Sequence, residues 1–149
     1  MAVALLGALV VAGCGSSRER RPPTRPQFAA AAEAICRHER DKLAFIAARA
    51  RPLGLAPRSP RVIRQQAAQS QLATTRLQAL AQPAGEVPAI ARWLTARTVA
   101  ATVALDLAEA PARGEAVAVA DVRAQAARTL AEASALAAAL GLRTCSEVG

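Results

Sequence analysis

The chain has 149 residues, of which 53% are apolar and only 2% aromatic, and a formal charge of +8. That length holds one ordinary domain, and that apolar fraction excludes a disordered chain. The positive charge comes from 18 arginines and a single lysine, Lys42, spread over the whole length without interleaved aromatics. A nucleic-acid surface would cluster them on one face, so no nucleic-acid partner is expected. Much of the apolar content is alanine, which forms helix readily but buries little surface per residue. Long helices, a thin core and close helix–helix approach are expected.

Residues 2–12 read AVALLGALVVA. The run has signal-peptide length and is too short to span a membrane, which takes about 20 residues. It ends in Val11-Ala12-Gly13-Cys14, followed by Gly15-Ser16-Ser17. This resembles the bacterial lipobox: an aliphatic residue, two small residues, then a cysteine. Small residues let an extended backbone enter a peptidase cleft, and the thiol is the nucleophile at hand. The resemblance implies a diacylglyceryl group on the Cys14 sulfur and cleavage before it. Residues 1–13 would then be a removed signal peptide. The pattern departs from the usual one in having no Lys or Arg before Ala2. Two acyl chains anchor a protein stably, and the resemblance implies the extracytoplasmic face of a cell membrane. Residues 14–26, CGSSRERRPPTRP, read as the lipidated cysteine and a tether kept unfolded by Gly, Ser and Pro. Arg18, Arg20, Arg21 and Arg25 fit either contact with anionic headgroups or a solvated spacer.

Residues 27–149 read as the folded domain, with four helical segments. The first spans about Gln27–Arg51, opened by Pro26 and ended by Pro52 and Gly54. Its inward stripe is Ala32, Cys36, Glu39, Leu43, Ile46 and Ala50. The second spans about Pro60–Ala81, with Ser59 as N-cap and Pro60 in the first turn. Ile63, Ala67, Ser70, Thr74, Leu77 and Ala81 form its stripe. The third spans about Pro88–Ala110, with Ile90, Leu94, Ala101, Leu105 and Ala108 inward and Trp93 beside them. The fourth runs from about Glu115 to Leu140 on Val119, Val122, Ala126, Leu130, Ala133 and Ala137. Gly141 reads as a C′ glycine with Leu142 folding back onto the last turn. No stretch alternates with period two, so no sheet is expected. Four helices of similar length joined by short turns predict an all-α, up-down-up-down four-helix bundle.

Three cysteines leave two, Cys36 and Cys145, once Cys14 carries lipid. Disulfides persist in exported chains. In an up-down bundle the end of the fourth helix lies near the start of the first, which favours a Cys36–Cys145 bond. Two free buried thiols are the alternative. The loop so closed is worth about 4–5 kcal/mol on chain-entropy grounds.

A search for chemistry yields no catalytic residues and no metal or cofactor site. His38 is the only histidine. It stands about 200° around the helix from Cys36, so the two cannot share an ion. There is no Glu-x-x-His pair for a bundle-core metal, no haem attachment motif, no Gly-x-Ser-x-Gly and no phosphate-binding glycine loop. Glu39, on the inward stripe, is expected to pair with an arginine of another helix.

Val11-Ala12-Gly13-Cys14, Ala34-Ile35-Cys36 and Leu140-Gly141-Leu142-Arg143-Thr144-Cys145 carry a resemblance to the small Ala/Arg-rich lipoproteins of actinobacteria. The resemblance implies envelope location and a helical fold, and it supplies no binding or catalytic residues. Two non-enzymatic readings stand. One is an interaction or structural module showing arginines to an anionic headgroup, an envelope polymer or an envelope protein. The other is a carrier whose helices part to admit a small apolar ligand. A preserved apolar cavity distinguishes the carrier; a solid core with a one-sided basic face distinguishes the module.

Overall fold

The structure, a computed structural model, describes residues 21–56, 58–110 and 116–148. The expected signal peptide, Cys14 and the first part of the tether lie outside the described residues, as does the turn containing Pro111 and Gly114.

The described chain is all-helical. The four long helices are α1 (Arg25–Ala50), α2 (Pro60–Gln78), α3 (Val87–Glu109) and α4 (Ala116–Ala139). A short fifth helix, α5 (Arg143–Glu147), was not expected from sequence. Single 3-10 turns at Arg51–Leu53 and Ala84–Glu86 mark the breaks at Pro52 and Pro83.

Local chemistry sets these boundaries. Helix α1 begins before Pro26, because Thr24 and Gln27 form a capping box. The Thr24 hydroxyl accepts from the Gln27 N–H, and the Gln27 side chain accepts from the Thr24 N–H at 2.9 Å. Two orphan donors are thereby satisfied. Helix α2 stops three residues short of the expected Ala81. Pro83 offers no N–H and disfavours helical backbone at Gln82, and the Leu80 N–H instead closes a tight turn onto the Leu77 carbonyl. Ser59 takes the N-cap backbone conformation, but its hydroxyl makes no cap hydrogen bond. Helix α4 ends as the sequence predicts. Gly141 has φ +76°, its N–H bonds the Ala138 carbonyl, and the Leu142 N–H bonds that of Ala137. These two bonds complete a Schellman motif, with Leu142 buried against the end of the helix.

Helices α1 and α2, α2 and α3, and α3 and α4 pack as neighbours. The ring is not closed by α1 against α4. Among the described residues no Cα of α1 lies within 8 Å of one of α4. Helix α5 packs on both instead. The core gathers Phe28, Ala32 and Cys36 from the start of α1, Leu77 from the end of α2, and Ile90, Trp93 and Leu94 from the start of α3. Ala137 and Leu140 at the end of α4 and Leu142, Cys145 and Val148 complete it.

Three attachments hold α5 in place. The Cys36–Cys145 disulfide joins it to α1, with Cα atoms 5.1 Å apart. The Glu33 carboxylate accepts from the Thr144 N–H at 3.0 Å, so α1 supplies the cap that α5 lacks in its own sequence. Arg40 pairs with Glu147 at 3.5 Å. Arg25, considered above for headgroup contact, is engaged within the fold. It pairs with Glu86 at 3.1 Å and donates to the Leu140 carbonyl.

Candidate functional site

Packed helices sit about 8–10 Å apart. Among the described residues α1 and α4 make no such contact, and α5, which packs on both, is only five residues long. Beyond it no described residue fills the gap. The result is a half-open groove of about 940 Å³.

Its walls follow from the apolar stripes. Leu43 and Ala47 face it from α1, and Ile63 and Ala67 from α2. Ala101, Ala104 and Leu107 form the α3 wall, and Val119, Ala126 and Leu130 the α4 wall. Alanine Cβ atoms reach a short way into the gap, so side chains on opposite walls do not meet. The α4 residues expected in the core show the consequence. Ala133 and Ala137 are buried, whereas Val119, Val122 and Ala126 are half-buried and Leu130 is exposed.

One end of the groove is polar and buried. Glu39 of α1 and Arg97 of α3, with side chains 1% and 6% exposed, form an ion pair across the bundle at 2.6 Å. Arg97 Nε donates to the Thr74 hydroxyl of α2 at 3.2 Å, and that hydroxyl donates to the Ser70 carbonyl at 2.8 Å. The Arg97 guanidinium lies 5.8 Å from the centroid of the Trp93 ring, one helical turn away. Glu39 and Arg97 both line the groove. Glu39 Oε2 takes the arginine, while buried Oε1 has no hydrogen-bond partner among the described residues. The other end carries Arg58 and Arg123, exposed at the rim and in no ion pair among the described residues.

The sequence-predicted residues distribute plainly. Cys36 and Cys145 come together as a disulfide, and Cys145 lines the groove. Glu39 meets an arginine of another helix, as its inward position predicts. His38 is exposed, on a different face from buried Cys36. Trp93 is wholly buried in the core and lines no part of the groove; its indole N–H has no partner among the described residues. Among the described residues no three His, Cys, Asp or Glu side chains gather, and no helix is long and apolar enough to cross a membrane. Sequence reasoning missed Arg97 and the groove itself. Comparison with protein-family models, curated proteins and solved structures finds no match to this chain.

Proposed function

We propose that the protein is an exported lipoprotein, anchored through Cys14 to the extracytoplasmic face of a cell membrane, whose helical domain carries a small apolar ligand and performs no chemistry on it. The four long helices form its up-down-up-down frame. That topology is supported by the shared cluster at one end, built from the starts of α1 and α3 and the ends of α2 and α4. The single observation behind the carrier reading is the apolar groove. At about 940 Å³ it lies in the range of small-molecule sites, roughly 300–1,000 Å³. The rival reading, an arginine-presenting interaction module, called for a solid core.

Binding of Nile red, a neutral apolar dye, tests the carrier. One dye per chain with a blue-shifted emission is expected, weakened in Ala104→Trp, whose indole occupies part of the groove. An unshifted spectrum, or equal binding by a folded Ala104→Trp, overturns the reading. Intact mass of the protein from membrane fractions tests the anchor. A chain beginning at Cys14 with added acyl mass is expected; an unmodified full-length chain in the cytosol overturns it.

A further inference from the structure

The groove is polar at both ends, but the inner end holds paired charges and the rim holds unpaired cations. At the buried end stands the Glu39 carboxylate, whose Oε1 lacks a partner among the described residues. Its charge is balanced by Arg97 at 2.6 Å, and Arg40 and Glu147, which also line this end, pair at 3.5 Å, so the end carries no net charge. The far end lies about 20 Å away along α2, from Thr74 back to Pro60 at roughly 1.5 Å per residue. There Arg58 stands just before α2. Arg123 lies about 15 Å before Ala133 on α4 by the same measure. Both guanidinium groups belong to the rim, are exposed, and have no ion-pair partner among the described residues. Between the ends the walls are aliphatic: Leu43, Ile63, Ala104 and Leu107 among them.

We infer that the ligand is a single-chain amphiphile with an anionic head, a long-chain carboxylate. The chain lies in the groove with its tail toward Glu39 and Arg97. The head sits at the rim between Arg58 and Arg123. A cationic head finds repulsion at that rim, whereas an anionic head finds unpaired positive charge there and only balanced pairs at the inner end. The orientation is therefore set by charge, and the affinity by the aliphatic walls. This inference rests on the carrier reading above and adds to it the class of the ligand.

The test is direct binding to the purified full-length chain. Palmitate and hexadecyltrimethylammonium, which share a chain length and differ in head charge, are each added below their micellar concentrations, with Nile red as the displaced reporter. Palmitate is expected to bind on the order of tenfold more tightly at low salt, a preference that shrinks as salt screens the exposed arginines. The double variant Arg58→Glu/Arg123→Glu, altered only at exposed positions, should keep its helical spectrum and Tm and reverse the preference. Equal binding of the two amphiphiles, or a preference unmoved by the double variant, overturns the anionic-head assignment and leaves the carrier intact. Failure of Nile red and of both amphiphiles to bind overturns the carrier and the assignment together.

Discussion

At the end of the domain that holds Cys36 and Cys145, all four long helices and α5 contribute to one cluster that includes the wholly buried Trp93. At the other end α1 and α4 stand either side of a groove that no described residue fills. Both ends are built on the same alanine-rich stripes, so composition does not separate them. The two ends differ in the five-residue α5, which packs on both α1 and α4 at the closed end only. An alanine-rich helix pair left to itself approaches closely. Helix α5, held by a disulfide, a carboxylate cap and an ion pair, opposes that collapse if closure at one end and the cavity at the other are two results of one attachment.

The largest expected effect comes from cutting that attachment. The disulfide spans 109 residues of sequence, and closing such a loop is worth about 5 kcal/mol on chain-entropy grounds. Cys36→Ser/Cys145→Ser should therefore lose about 5 kcal/mol in urea unfolding. The same variant should bind Nile red less well, because α1 and α4 can then close on each other. A loss of stability with dye binding unchanged would separate the two ends and deny that α5 keeps the groove open.

The next effect sits where the halves meet, at Glu39 and Arg97. A buried pair contributes little net stability, but removing one partner leaves an uncompensated charge and costs about 3–5 kcal/mol. Glu39→Ala should fall in that range by urea unfolding. Glu39→Leu/Arg97→Met should recover most of the loss. If the single and double variants were equally destabilised, packing rather than the charge pair would be the main contribution of these side chains.

The sequence made one half of the domain more legible than the other. The helix breaks and the Gly141 stop follow from local rules, because prolines, caps and a C′ glycine act within a few residues, whereas the meeting of Cys36 with Cys145 was read from the topology of the bundle. The partner of Glu39 was hidden among 18 arginines. A signal was present: Arg97 occupies the gap in the stripe Ile90, Leu94, Ala101, where an apolar residue belongs. Helix α5 is too short to show a period. The groove has no local signature at all. Val119, Ala126 and Leu130 keep inward spacing whether or not a helix stands opposite them, so the pattern indicates which face turns inward and not how far away the neighbour lies.

The smallest effects make the sharpest contrast, since one substitution can be placed in each half. Ala137 is fully buried in the closed cluster. Leucine there must displace packed neighbours, and Ala137→Leu should cost about 1–3 kcal/mol. Ala104 faces the groove, where three added carbons meet space and aliphatic walls. Each buried methylene is worth about 0.8 kcal/mol, and in a half-open site only part of that is realised, so Ala104→Leu should stabilise by about 1 kcal/mol. It should also weaken Nile red binding, because the side chain takes up room that the ligand needs. Opposite signs in thermal unfolding, coupled to weaker binding in the stabilised variant, are what a groove kept empty for a ligand requires. Destabilisation by both substitutions would mean that the space between α1 and α4 closes in solution, and that the two halves of the domain are packed alike.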